Sequence, residues 1–295
     1  VADETRAHSL DAPHGWLGDL VAYRPLRLVS CCGSTQLCRA VEVESGQEVL
    51  IKVLDGTLAE DEDSQELFFA ESSVMAELSH PNLLEVRDLK RCDGRVVIVT
   101  EWVEGERLDA VVQSGRMPLI KVLRVGMQLS RLLSYLHERN LFRCDLSLAN
   151  ILLRADGTLK VMHVGRSVHG AALRSDRLEI GPYISPEEAL GLAPTPASAL
   201  FQLGVALYLM LTGELPWAEA RTLNNLDQVL PSLGERQRNL PPLMVRLVDR
   251  LLSFDPSLRP QRAMEVLKTL QELASQVGPT PRDSGSWRLV VPRPR

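Results

Sequence analysis

The chain has 295 residues, 45% of them hydrophobic and 24% charged, with a formal net charge of −5. That length suits one two-lobed domain or two ordinary ones with a real core, and the mildly acidic balance argues against nucleic acid or an anionic membrane as partner. Five cysteines, at 31, 32, 38, 92 and 144, are odd in number and include no C-x-x-C pair. A disulfide framework and a zinc site are therefore not expected, and free thiols in a reducing cytoplasm are.

Residues 1–22 lack periodicity, a charged-then-apolar signal pattern and an initiator Met. They read as an N-terminal extension, on a chain that reads as a piece of something larger. From Tyr23 the pattern turns strand-like, with runs at 24–30 (RPLRLVS), 36–43 (QLCRAVEV) and 48–54 (EVLIKVL). Ser45-Gly46 punctuates the second and third. Residues 61–78 carry helical spacing through Leu67, Phe68, Glu71, Met75 and Leu78. Strands are predicted at 83–89 and 95–100, with Asp93-Gly94 as the hairpin turn. After Glu104-Gly105 the chain becomes mostly helical. Val122, Val125, Leu129, Leu132, Leu133 and Leu136 keep one apolar face, and 198–212 is apolar nearly all round, as a central buried helix would be. Amphipathic helices follow at 243–252 and 263–273. The longest apolar run, 203–211, falls short of the ~20 residues a membrane span needs. The tail, 275–295, begins as a Pro/Gly/Ser linker. Its end, Trp287–Val291 with nearby arginines, reads either as a disordered terminus or as a partner-docking segment.

The stretch 140–165 reads NLFRCDLSLANILLRADGTLKVMHVG. It resembles the catalytic and metal-binding loops of the eukaryotic-like (bacterial-type) Ser/Thr protein kinases, where an H-R-D motif, an Asn, a short hairpin and D-F-G follow in order. EVLIKVL resembles the V-A-I-K strand and places Lys52 where the family has its phosphate-binding lysine. FFAESSVMAELSHPNLLEV resembles the regulatory helix, with Glu71 as that lysine's ion-pair partner. VVIVTEWVEGERL resembles the hinge, with Thr100 as gatekeeper and Glu101–Val103 facing adenine. YISPEEAL and FDPSLRP resemble the A-P-E end of the activation segment and its arginine, here Glu187 and Arg259, a structural pair. The resemblance runs from about residue 23 to 274. It implies an α+β, bilobal fold: a small five-stranded antiparallel β lobe with one helix (23–101) and a larger, mainly helical lobe (104–274). The nucleotide pocket it implies consists of Leu37, Leu50, Lys52, Thr100, Glu101, Val103, Asn150 and Leu152. Asp145 stands at the position of the catalytic base.

The departures from the family cluster at that pocket. The glycine positions of the Gly-rich loop are Ser30, Cys32 and Thr35, with Gly33 between them, so side chains stand where backbone N–H groups should approach phosphate. The alanine of V-A-I-K is Leu50, which partly fills the adenine slot. The arginine before the base is Cys144, the catalytic-loop lysine is Ser147, the D-F-G phenylalanine is Val164, the threonine before A-P-E is Ile180 and the large-lobe anchoring aspartate is Ala199. The segment 166–184 is short. The metal-binding aspartate is His163, whose nitrogen suits softer metals than Mg²⁺.

Losing one preorganised stabiliser costs ~10²–10³ in rate. Two such losses from a kinase rate of roughly 1–100 s⁻¹ leave about one turnover per minute at best. The expectation is therefore a pseudokinase: a cytoplasmic scaffold or allosteric protein-binding module with weak or no Mg-ATP binding and no cofactor. Its partners would be proteins, an active kinase or another signalling protein among them. The alternative is a slow or unconventional Ser/Thr kinase using Lys52, Asp145 and Asn150 with ATP and Mg²⁺. Read without chemistry, Lys52–Glu71 is an ion pair holding helix to sheet, Asp145 and Asn150 hydrogen-bond the catalytic loop, His163 is a satisfied polar residue and His137 a packing or capping residue.

Overall fold

The computed structural model describes residues 21–32, 35–54, 56–92, 94–164, 180–217, 221–222, 225–227 and 230–277. Outside the described residues lie most of the extension, the side chains of Ser30 and Cys32, Gly33, Asp93, most of the 166–184 segment and the end of the tail. The chain divides into two compact units, residues 1–78 with 85–102 and residues 79–84 with 103–295.

The first unit is built on an antiparallel five-stranded sheet. Its strands are β1 (Tyr23–Cys32), β2 (Thr35–Glu42), β3 (Glu48–Leu54), β4 (Val86–Cys92) and β5 (Arg95–Glu101), in the order β1-β2-β3-β5-β4. The two-residue period of a strand decides which side chains enter the core. Cys38, Ala40, Val49, Ile51, Val53, Val97 and Val99 pack together with Tyr23. The alternate positions, Leu37, Leu50, Lys52 and Thr100, therefore share the other face. Register brings Leu37 opposite Lys52 and Leu50 opposite Thr100.

Helix α1 (Glu62–Ala76) starts at Asp61, whose carboxylate accepts the Ser64 N–H at 2.9 Å, and Glu62 and Asp63 favour its N-terminal dipole. Gln65 ties the helix down. Its amide donates to the Ala59 carbonyl at 3.0 Å and its oxygen accepts the Val96 N–H of β5 at 2.8 Å. Phe68 and Met75 are buried, whereas Leu67, grouped with them by spacing, faces outward.

The strand predicted at 83–89 starts later, at Val86. Leu83 and Leu84 are instead buried, and they belong to the second unit. The Leu84 N–H donates to the Val161 carbonyl at 3.0 Å, and the Val161 N–H donates to the Asn82 carbonyl at 2.8 Å. The Asn82 side chain is itself fixed by Gln128 and by the Leu159 carbonyl. Burial of two leucines there, roughly 1.5–3 kcal/mol each, outweighs extending an outer strand.

The second unit holds a small antiparallel sheet of β6 (Glu106–Arg107), β7 (Ile151–Leu153) and β8 (Leu159–Val161). Its helices are α2 (Leu108–Gln113), α3 (Leu119–His137), α4 (Pro186–Ala189), α5 (Pro196–Thr212), α6 (Leu233–Arg236), α7 (Pro242–Leu251) and α8 (Ala263–Val277). The α3 face predicted by periodicity is fully buried. Helix α5 is buried nearly all round, ends on left-handed Gly213, and packs so tightly on α7 that a Cβ at Gly204 would lie 2.8 Å from the Leu251 Cβ. Among the described residues, no helix is long and apolar enough to cross a membrane.

Candidate functional site

In the first unit the pleat of β3 puts Leu50 and Lys52 on one sheet face. Burial holds the Lys52 ammonium below the usual lysine range, at about 8, while the charge of Glu71 acts to raise it. Its Nζ lies 5.5 Å from the centre of the Phe68 ring. Phe68 and Glu71 are three apart on α1 and so lie on one helix face. Lys52 and Glu71 are thus an electrostatic pair joining β3 to α1. Thr100 is buried and its hydroxyl lies 3.4 Å from the Leu50 carbonyl and 3.2 Å from the Glu101 carbonyl. Glu101 closes the end of β5, its carboxylate accepting the Glu85 N–H at 3.0 Å. Leu37, Leu50, Lys52 and Thr100 are therefore neighbours by register, with Glu101 next in chain. Val103, Asn150 and Leu152 belong to the second unit.

The loop before β7 is organised by its own backbone. The Asp145 carboxylate accepts the Ser147 N–H at 2.9 Å. The Asn150 amide donates to the Asp145 carbonyl at 2.7 Å and to the His163 carbonyl at 3.2 Å. The Met162 N–H donates to the Asn150 carbonyl at 2.9 Å, and Cys144 bridges Val164. Asn150 thus joins the segment carrying Asp145 to the segment carrying His163. Tyr183 supplies a hydroxyl 3.3 Å from the Leu148 N–H, and burial, with a contribution from Asp145, raises its pKa to about 12. Where the family has an arginine, Cys144 is a buried thiol whose pKa is pushed well up by burial and by Asp145, so it is an inert, neutral group. His137 closes α3, with its ring edge-on to Phe142 at 5.9 Å and its pKa lowered to about 4 by burial.

The family uses Mg²⁺, and the donors here fit it poorly. The Asn150 Oδ1 is buried and has no hydrogen-bond partner among the described residues, so one hard oxygen is available. The second family position, 163, offers an imidazole. Mg²⁺ takes near-octahedral oxygen ligation and is usually held by carboxylates, so one amide oxygen beside a histidine does not reproduce that set. Among the described residues no group of three His, Cys, Asp or Glu is arranged to hold a metal ion.

The Glu187–Arg259 pair is complete by contrast. Arg259 donates to both Glu187 oxygens at 2.8 and 2.9 Å, and to the carbonyls of Ala197, Ser253 and Phe254. Ser198 donates a further bond to Glu187 at 2.6 Å. The Glu187 carboxyl is desolvated, which acts to raise its pKa, but the hydrogen bonds from Arg259 and Ser198 hold it below the usual range. Motif reading marked only Ala199 on this stretch of α5 and missed a polar residue beside it. Gln202, one turn further along α5, accepts the Leu146 N–H at 3.3 Å. Positions 199 and 202 are neighbours on one helix face, but no motif marks the second.

Residues 32–270 match the protein kinase domain family. The chain belongs to the protein kinase family. This kinase domain is 32% identical over 251 residues to the serine/threonine-protein kinase PknA of Mycobacterium tuberculosis, covering 80% of this chain and 58% of PknA. It is 30% identical over 235 residues to CBL-interacting serine/threonine-protein kinase 3 of Arabidopsis thaliana, covering 75% of this chain and 52% of that one. It is 27% identical to the probable serine/threonine-protein kinase CPE1738 of Clostridium perfringens, covering 76% of this chain and 34% of the relative. The chain thus spans about half, or less, of these relatives' length. The crystal structure of the Mycobacterium tuberculosis PknI kinase domain superimposes with a TM-score of 0.69 at 20% identity, covering 85% of this chain and 96% of that one. That likeness establishes the α+β, bilobal protein kinase fold.

Proposed function

We propose that this kinase domain is catalytically impaired and works as a protein-binding module in signalling, a cytoplasmic scaffold or allosteric regulator with weak or no Mg-ATP binding. The observation that carries the reading is the donor set: the D-F-G aspartate position is His163, so of the family's two metal positions Asn150 alone keeps a hard oxygen. Ser147 in place of the catalytic-loop lysine removes a second charge that phosphoryl transfer draws on. The intact Glu187–Arg259 pair and the Gln202 bond to the catalytic loop support a fold kept in working order while its phosphate chemistry has thinned. Isothermal titration with ATP and Mg²⁺ tests this; tight, magnesium-dependent binding would sink it.

A second reading has its own support. The relatives compared are named as serine/threonine kinases, the charge of Glu71 acts on Lys52, and the Asp145 carboxylate is held by its own loop. A slow or unconventional Ser/Thr kinase fits the family comparisons better than the impaired module does, whereas positions 147 and 163 speak for impairment. In this reading Lys52 binds phosphate, Asp145 takes the proton of the attacking hydroxyl, and Asn150 holds Asp145 and position 163 in register. Transfer from radiolabelled ATP that disappears in Asp145→Ala would establish it, and no transfer above background would remove it.

A further inference from the structure

The second unit contains a cavity of about 330 Å³ that the kinase motifs do not account for. Arg221 lines it and is itself only 6% exposed. A guanidinium has five N–H donors and seldom goes into the interior without acceptors. Here Nη1 donates to the Ile184 carbonyl, and this is the one acceptor of the side chain among the described residues. The ring of Trp217 lies 4.6 Å from the guanidinium carbon and that of Phe201 5.4 Å away. The neighbouring carboxylate, Glu187, gives both oxygens to Arg259. Among the described residues the Arg221 edge formed by Nε and Nη2 is therefore a fork without an acceptor on a cavity wall.

We propose that this cavity binds a carboxylate carried on an apolar body of about ring size. A planar fork of parallel N–H groups matches the two oxygens of a carboxylate. Trp217, Phe201, Leu252 and Phe254 supply apolar and aromatic wall for the body. The volume lies at the small end of ligand pockets. A single negative charge fits better than a phosphate dianion, because Asp227 and Asp249 also line the cavity. Asp249 is committed to the Ser232 hydroxyl and the Leu233 N–H, and the charges acting on Arg221 are those of Arg259 and Glu187. Burial, with Arg259 adding to it and Glu187 opposing it, lowers the Arg221 pKa to about 10, so an anion settling on the fork would offset the cost of the buried cation. The site needs no nucleotide chemistry and stands whichever reading of the kinase cleft holds.

The test titrates the full chain, ¹⁵N-labelled, with hydrocinnamate and with its neutral amide. The readout is the indole N–H signal of Trp217, assigned by its loss in Trp217→Phe. The expected result is a saturable shift with the acid bound about tenfold or more tighter than the amide, the discrimination a charge-assisted hydrogen bond provides. Arg221→Gln should erase that preference. Because Arg221 also holds Ile184, Phe254→Ala provides a second variant at the exposed rim; it should weaken acid and amide alike and leave their ratio intact. A short peptide ending in Phe, with free and with amidated C-terminus, separates the two sources of the carboxylate. Tighter binding of the free-ended peptide than of hydrocinnamate assigns a polypeptide terminus, and the reverse assigns a free small acid. Equal affinity for acid and amide, or no saturable shift at Trp217, overturns the proposal.

Discussion

The Glu187–Arg259 ion pair and the Asp145–His163 loop lie in the same unit and are finished to different degrees. Every N–H-bearing nitrogen of Arg259 finds an acceptor, both Glu187 oxygens are used, and Arg259 is 1% exposed. In the loop, Asn150 spends its amide on two carbonyls while its oxygen stays buried without a partner among the described residues. The first arrangement is closed on itself, as a purely structural pair would be. The second leaves an unsatisfied buried acceptor, which in native proteins marks a site built for something else. The difference teaches where this fold is closed on itself and where it keeps a polar atom unspent.

The largest effect expected from breaking the comparison is at the pair. Arg259→Ala leaves a buried carboxylate uncompensated and should cost about 3–5 kcal/mol, read as a lower midpoint in urea denaturation; a loss below about 1 kcal/mol would contradict its closed status. Next comes restoration of the loop. His163→Asp with Ser147→Lys should raise phosphoryl transfer by about 10²–10³ for each group regained, measured with labelled ATP. No gain would mean that the obstruction lies in the nucleotide-binding loop or at Leu50. Asn150→Ala strips two carbonyls of their donor and should cost about 1–3 kcal/mol, again by denaturation. A neutral result would show that its tie between Asp145 and His163 carries no weight.

The smallest effect concerns pH. Burial lowers the His137 pKa from 6.5 to about 4. Below pH 6.5 the unfolded chain takes up a proton that the native chain refuses, so stability falls between about 6.5 and 4. His137→Phe keeps an aromatic ring against Phe142 and should flatten that part of the stability–pH curve relative to the parent. An unchanged slope would assign the acid sensitivity to the carboxylates instead.

Much of the site is legible in the sequence. The hairpin between Asn150 and position 163 and the Glu187–Arg259 contact follow from motifs whose residues meet as the spacing implies, and the charge of Glu71 acts on Lys52 across β3 and α1. Gln202 is not legible, because it acts through a helical turn beside the expected position and no motif marks it. Leu83 and Leu84 read as strand but are not, since a short apolar run fits a strand or a buried connector equally well. Arg221 gives no sequence signal at all; a lone arginine after a Trp-containing turn reads as surface.

Local periodicity and residue identity were enough to determine the strand alternation of β2, β3 and β5, the apolar face of α3, the buried character of α5 and the absence of a carboxylate at 163. These depend on neighbours a few positions apart, which the chain itself specifies. Which acceptors surround Arg259, which side chain accepts the Leu146 N–H, which unit takes Leu83 and Leu84, and why Arg221 is buried beside a cavity were decided by the tertiary structure. Buried polar groups are satisfied by whatever distant backbone the fold brings within about 3 Å, and that proximity is a property of the packed whole.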